Sequence, residues 1–283
     1  MIISRKEIES LSKDIRRIID GQEVDLRDNL EGRLSILKND IHTLAGRLNE
    51  ESASLKKEKS AMANTLADIS HQLKTPLTAM IVMVELLETA PSDKRAEFIY
   101  NLKQGLTQTE WLASTLLKMA KLESGTAALN PVYIHASHLL DIALYPLHIL
   151  LDIKDQKVNI TGDSQLYCDK NWTAQALTNI IKNASEHSPE GCAIEVNIST
   201  NPISTQISIT DQGQGIPDSQ IKGLFNRFGN SRKGNGIGLA LSLAIMREQN
   251  GDIEVKGRSD HKGATFILKF YPQARSPRVP RKM

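Results

Sequence analysis

Apolar residues fall into long stripes of helical period up to about residue 123, and into shorter, mixed runs beyond residue 130. Ile8, Leu11, Ile15 and Ile18 make a short amphipathic stripe that stops before Gly21. After a polar connector, 22–29, a second stripe follows at heptad spacing: Leu30, Leu34, Leu37, Ile41, Leu44, Leu48 and Leu55. Met62, Leu66, Ile69, Leu73, Met80, Met83 and Leu87, with Pro76 in the remaining slot, make a third. The last two seams are out of phase. Continuing from Leu55 puts Met62 at an a position, whereas its own seam needs it at d. Such an offset is a stutter that locally unwinds a coiled coil, here near residues 55–66, and it offers a route for upstream rotation or scissoring to reach the next helices. Turn chemistry at Ala90-Pro91-Ser92-Asp93 precedes a fourth stripe, Phe98, Leu102, Thr109, Leu112, Leu116 and Met119, which predicts a helix over about 94–123.

Two antiparallel helices joined by so short a turn hold too little core alone. Two such hairpins related by a dyad make a four-helix bundle, so a homodimer is expected. Counting from the third seam places His71 at an f position, the outermost of the heptad, with Thr75 one turn further on the same face. Pro76 removes a backbone donor beneath them and is expected to bend or loosen the helix.

Residues 124–131, Ser-Gly-Thr-Ala-Ala-Leu-Asn-Pro, read as a linker. Beyond it, 158–160, 165–168, 193–199, 206–210, 253–256 and 265–270 look like strands, and 136–153, 171–186 and 237–249 like helices. The irregular order predicts an α+β class, with helices on one face of a mixed sheet.

Bulk properties narrow the function. A formal charge of +2 gives no argument for nucleic acid. Hydrophobic content of 40% and charged content of 24% are those of globular protein. The two cysteines, Cys168 and Cys192, have no metal-ligand spacing, which predicts reduced thiols in a cytosolic setting. No run approaches the roughly 18 consecutive apolar residues of a bilayer span, and Glu7 and Glu9 interrupt any early signal-like core. The tail 272–283, with Arg275, Arg278, Arg281 and Lys282 among prolines, reads as disordered.

Three constellations in the second half carry candidate chemistry. Asn179 and Asn183 stand at i and i+4 on one helix face, flanking Lys182, and an Asn carbonyl is the hard oxygen donor that Mg²⁺ accepts. Asp211-Gln212-Gly213-Gln214-Gly215-Ile216 follows a strand-like run, where a carboxylate can accept from an exocyclic amine and glycines let the backbone approach a ring. Gly234-Asn235-Gly236-Ile237-Gly238-Leu239 opens a helix, placing backbone donors and the positive end of a dipole against phosphates. The last is not a Rossmann fingerprint, because it comes late in the chain and lacks a βαβ setting.

Ser70-His71-Gln72-Leu73-Lys74-Thr75-Pro76-Leu77 resembles the phospho-acceptor box of sensor histidine kinases. The three later strings resemble the same family's N, G1 and G2 boxes. Between them Leu224-Phe225-Asn226-Arg227-Phe228 is similar to the F box of the ATP lid, and Gly263-Ala264-Thr265-Phe266 to a later Gly-x-Thr element. The resemblance covers about residues 60–271. It implies an N-terminal coiled coil and a dimeric helical hairpin (a four-helix bundle), followed by an α/β sandwich ATP-binding domain of Bergerat type. The implied boundaries are 1–58 for signalling helices, 59–125 for dimerisation and phosphotransfer, 131–271 for ATP binding and 272–283 for the tail. Residues 1–58 look like a degenerate HAMP module, and a plain dimeric coiled coil fits the same stripes.

The resemblance further implies ATP and Mg²⁺ as cofactors, autophosphorylation of His71, and phosphotransfer to an aspartate of a response regulator receiver domain. Thr75 would place water for removing phosphate from that partner. Asn183 would bind Mg²⁺. Asn179, Lys182, Asp211, Gly213, Gly215, Ile216, Arg227, Phe228, Gly234, Gly236, Gly238, Leu239 and Thr265 would line the nucleotide. A cytoplasmic setting is implied, with a membrane tether in a longer chain. Two departures stand out. Gln72 replaces the family's acidic residue, so it can orient the imidazole but cannot take its proton. Glu186-His187 follows the N box where relatives carry a basic residue and an aromatic one, leaving Lys182 and lid cations such as Arg227, Arg232 or Lys233 to face phosphate. Two rivals remain open: an ATP-hydrolysing machine of the gyrase and chaperone type, which needs a glutamate where this chain has Asn179, and a nucleotide-binding scaffold without transfer.

Overall fold

The computed structural model describes residues 5–19, 22, 33–89, 91–221, 223–226, 236–257 and 263–272. Connector residues 23–29, the start of the second stripe at 30–32, the lid residues Arg227, Phe228, Arg232 and Lys233, Gly234 of the third glycine string, and the tail from 273 lie outside them. Two compact units are distinguished, one up to Ser70 and one from His71 onward.

The first unit is helical. Helix α1 is Arg5–Ile19, with Leu11 buried and Ile8 and Ile19 exposed. Helix α2 is Arg33–Thr89 and runs unbroken through residues 55–66 and through Pro76. Up to Ser70 its seam residues Leu37, Leu44, Leu48, Leu55, Met62 and Leu66 are exposed in the single chain.

The second unit takes in the end of α2, helix α3 (Ser92–Glu123) and the mixed α/β part. The predicted seam is the inner face of the hairpin. Met80, Leu112 and Met119 are buried, and Leu73, Met83, Leu87, Phe98, Leu102 and Leu116 half-buried. The helices approach closely where Met80 lies against Gly105, whose Cβ would stand 2.9 Å from Met80 Cγ. A second apolar row, Leu77, Ile81, Val84, Ile99 and Leu106, stays exposed.

The α/β part runs β1 (Val132–His135), α4 (Ala136–Leu144), a 3-10 turn (Tyr145–Leu147), α5 (His148–Ile153), β2 (Lys157–Thr161), β3 (Gln165–Cys168), α6 (Lys170–His187), β4 (Ala193–Thr200), β5 (Thr205–Thr210), α7 (Asp218–Ile221), α8 (Gly238–Glu248), β6 (Gly251–Gly257) and β7 (Ala264–Phe270). Five strands form one mixed sheet in the order β2-β4-β5-β7-β6, in which only β2 and β4 are parallel. Strands β1 and β3 make a separate antiparallel pair.

Period-two alternation gives the sheet one apolar face. Val196, Ile209, Phe266 and Val255 stand in register across four strands, as do Ile198, Ile207, Leu268 and Ile253, and all eight are buried. Helices α4, α6 and α8 supply the covering layer through Leu139, Leu140, Leu177, Ile180, Ile181 and Met246. The other face is polar apart from Ile267, with Lys269 Nζ 2.6 Å from Glu254 Oε2. Truncating Phe266 to Ala removes the centre of this layer and costs about 3–5 kcal/mol.

The structure departs from the sequence reading in two places. The helix expected over 136–153 breaks at Tyr145–Leu147, because Pro146 lacks the N–H that a continuous helix requires. This stretch is also the one among the described residues long and apolar enough to cross a membrane by composition, yet its broken helices bury Leu139, Leu140, Leu147 and Leu151 in the core. Strand β1 carried no period and exists through its pairing with β3.

Candidate functional site

Residues from three parts of the chain meet past the carboxyl end of β5. Asp211 is almost fully buried there. Its Oδ1 accepts from the backbone N–H groups of Gly213 at 2.8 Å and Ala264 at 3.1 Å. Its own N–H donates to the Ala264 carbonyl at 3.0 Å. Two main-chain donors on one oxygen fix the plane of the carboxylate. The Gly263 N–H donates to the Gly213 carbonyl at 2.6 Å, and the hydroxyls of Thr210 and Thr265 are bonded at 3.0 Å. Gly263 has φ 83°, and a Cβ there would collide with the Asp211 carbonyl oxygen. The G1 string and the Gly-x-Thr element are thus one local structure.

Helix α6 brings the N box to it. Asp169 caps its start, Oδ1 accepting from Asn171 N at 2.9 Å and Trp172 N at 3.0 Å. The far end is fastened by Gln156, a buried residue of the loop before β2. Its Nε2 donates to the carbonyls of Ser185 and Ser188, each at 3.2 Å, and of Pro189 at 2.9 Å, and its Oε1 accepts from Ser185 Oγ at 2.6 Å. Ser188 Oγ in turn accepts from Gln212 N at 3.1 Å, so the end of α6 holds the start of the G1 string.

Along α6, Gln175, Asn179 and Asn183 share one face. Asn179 Nδ2 donates to the Gly238 carbonyl at 3.2 Å, at the first turn of α8. Asn183 is half-buried, with no side-chain hydrogen bond among the described residues. Lys182 is exposed, its Nζ 3.7 Å from Glu186 Oε1. His187 is exposed as well.

Gly236 and Ile237 lead into α8, which starts at Gly238. Ile237 is 1% exposed and Leu239 packs on the main core. Gln249 ties the other end of α8 to α6, its Oε1 accepting from Asp169 N at 2.6 Å. Of the remaining nucleotide-lining candidates, Gly215 and Ile216 follow in the same loop, Ile216 resting on the core with Leu224 and Phe225.

On the hairpin, His71 and Thr75 are exposed and Gln72 is half-buried. Thiol chemistry at Cys168 is disfavoured: the residue is buried, and burial pushes its thiol above the usual value. Sequence reasoning missed Gln156, Gln175 and Ser188. Gln175 had one signal, its place four residues before Asn179; the others act across the fold.

Residues 61–125 match the family described as His Kinase A (phospho-acceptor) domain. Residues 168–274 match the family described as Histidine kinase-, DNA gyrase B-, and HSP90-like ATPase. The swarming motility regulation sensor protein RssA of Serratia marcescens is 30% identical over 229 residues, covering 76% of this chain and 48% of RssA. The chain thus spans about half the length of the curated relatives it matches. Among solved structures, Acinetobacter baumannii histidine kinase AdeS superposes with a TM-score of 0.62 at 20% identity, covering 72% of this chain and 98% of that one. Histidine kinase ThkA, solved in complex with response regulator protein TrrA, superposes with a TM-score of 0.63 at 16% identity, covering 79% and 65%.

Proposed function

The chain belongs to the sensor histidine kinases, and from that premise we propose that it phosphorylates itself on His71 with ATP and passes the phosphoryl group to an aspartate of a response regulator receiver domain. The observation that carries this reading is an imidazole exposed on a helical hairpin, on the same chain as an ATPase-type domain whose Asp211 carboxylate is fixed by two backbone donors.

The unprotonated ring nitrogen of His71 attacks the γ-phosphorus. A nitrogen–phosphorus bond forms, the bond to the β-phosphate oxygen breaks, and ADP leaves. The ring's second nitrogen carries the proton, which passes to water. Gln72 orients the imidazole by hydrogen bonding and takes no proton. Asp211 accepts from the adenine amino group through its carboxylate. The backbone donors at the start of α8 face the phosphates, with Gly236, Gly238 and Leu239 shaping that turn. Gly213, Gly215, Ile216 and Thr265 surround the base. A receiver aspartate then attacks the phosphohistidine, and the imidazole is regenerated. The complex of ThkA with TrrA supports a receiver as the partner.

Mg²⁺ fits the residues present. Asn183 offers a half-buried amide oxygen with no competing hydrogen bond among the described residues. No cluster of three His, Cys, Asp or Glu there could hold a metal alone, so phosphate oxygens and water would complete the shell. Bound there, the ion neutralises charge on the phosphates.

The exposed row Leu77, Ile81, Val84, Ile99 and Leu106 supports a homodimer in which a second hairpin covers it. Thr75, exposed one turn from His71, supports removal of phosphate from the partner by water placed at its hydroxyl.

Incubation with γ-labelled ATP tests the reading. Acid-labile, base-stable label on the protein, lost in His71→Gln, is expected. Free phosphate without label would mean an ATPase, and neither product would mean a scaffold; both outcomes sink the kinase reading.

A further inference from the structure

Four residues stand in one hydrogen-bonded line between helix α3 and helix α8. Lys118 Nζ donates to Gln175 Oε1 at 3.0 Å. Gln175 Nε2 donates to Asn179 Oδ1 at 3.3 Å. Asn179 Nδ2 donates to the Gly238 carbonyl at 3.2 Å. The polarity of this line is not arbitrary. An ammonium only donates, so it holds the oxygen of Gln175 toward α3 and turns its NH₂ toward Asn179. A backbone carbonyl only accepts, so Asn179 must turn its NH₂ to Gly238 and its oxygen to Gln175. Each amide is specified from both ends.

The line runs beside an apolar contact of the same two helices. Leu112, Met119 and Leu122 of α3 are buried with Ile237, Ala240, Leu241 and Ile245. Ile237 is itself a residue of the G2 string. The turn that would meet the phosphates is therefore seated on the acceptor hairpin through Ile237, and through Asn179 it feels whether Lys118 is in place.

We infer that Lys118 and Gln175 are positioning residues for nucleotide, transmitting the seating of the acceptor hairpin to the first turn of α8. This rests on the reading that the start of α8 faces phosphate. Linkage makes the effect reciprocal: seating of α3 strengthens nucleotide binding, and nucleotide strengthens the seating by the same factor.

Titration of the full chain with Mg·ADP, followed calorimetrically, tests it. Lys118→Met keeps the aliphatic stem and removes the donor; the dissociation constant is expected to rise about three- to tenfold, the worth of one hydrogen bond. Lys118→Arg, which still donates, restores binding. Gln175→Glu separates the line from simple contact. A glutamate pairs more strongly with Lys118 but cannot donate to Asn179, so affinity falls although the hairpin contact is kept. In a Gln175→Leu background, Lys118→Met has no further effect. Lys121→Met, an exposed lysine of the same helix, leaves binding unchanged. Unaltered affinity in Lys118→Met, additivity in the double variant, or full binding by Gln175→Glu would each overturn the inference. Failure of the unsubstituted chain to bind Mg·ADP would instead remove the nucleotide reading beneath it.

Discussion

The hydroxyl of Thr75 donates to the carbonyl oxygen of His71 at 3.1 Å, one helical turn apart on an exposed face. The bond uses the hydroxyl's proton and leaves its oxygen lone pairs to accept from a water. Pro76, the next residue, has no N–H for the carbonyl of Gln72, so the backbone under the histidine carries one helical bond fewer. Thr75→Ala is expected to leave label on His71 within about threefold, while dephosphorylation of the phosphorylated partner slows by about tenfold or more, the scale of one positioned polar group. Parallel assays of autophosphorylation and of partner dephosphorylation check this; equal loss in both would mean that Thr75 only supports the helix.

Asp211 makes a sharper case, because its observed backbone bonds separate from the proposed adenine contact. Oδ1 is held by Gly213 and Ala264, a task that the amide oxygen of an asparagine also performs. The NH₂ that replaces the other oxygen would face the adenine amino group donor to donor. Asp211→Asn is therefore expected to keep its melting temperature near that of the parent and to lose about ten- to a hundredfold in ATP affinity, the cost of an unmatched buried polar group. Equal affinity for ATP in the variant would refute the adenine role.

The long helices and glycine strings were legible because each rests on a local signal. Met80, Leu112 and Met119 occupy the buried face that heptad counting predicts, and glycines mark the turns before α8. What was not legible depends on partners distant in sequence. Val132–His135 is a strand because Gln165–Cys168 pairs with it. Gln156 has no motif, yet it gathers three carbonyls at the end of α6. The spacing of Asn179 and Asn183 gave both a common face but could not tell that Asn179 turns to the Gly238 carbonyl. Pro146 was visible, but its effect was masked by apolar period on both sides.

The hairpin's exposed row bears on assembly. Leu77, Ile81 and Val84 repeat at the spacing of the buried seam, and a monomer would leave all three in water. Ile81→Glu is expected to shift the chain from dimer to monomer in sedimentation at micromolar concentration and to lower its melting temperature. A dimer of undiminished stability would place the interface elsewhere.

Gly263 tests how tightly the G1 string depends on its neighbour. Its positive φ and the close approach of the Asp211 carbonyl leave no room for a methyl group. Gly263→Ala must shift either the strand start at Ala264, whose N–H holds the carboxylate, or the Asp211 backbone, whose N–H is bonded to the Ala264 carbonyl. A loss of about 2–4 kcal/mol in urea unfolding is expected, together with weaker nucleotide binding. A change below about 1 kcal/mol would show that the segment relaxes freely.

Asp163 gives a pH signature away from the site. The backbone N–H of Ser137 is the main cause that lowers its carboxyl from 3.8 to about 2, aided by the Ser137 hydroxyl, His135 and the Ser164 N–H against a desolvation penalty. The group caps the first turn of α4 from outside the helix. A folded value below the unfolded one means stability that is present above pH 3.8 and lost as pH falls through about 2. Asp163→Asn keeps an acceptor without the charge. The stability gap between parent and variant should be constant from about pH 5 upward and close between pH 4 and 2, read from unfolding midpoints at each pH. A gap that stays constant down to about pH 2 would show that the ionised carboxylate is not what holds the cap.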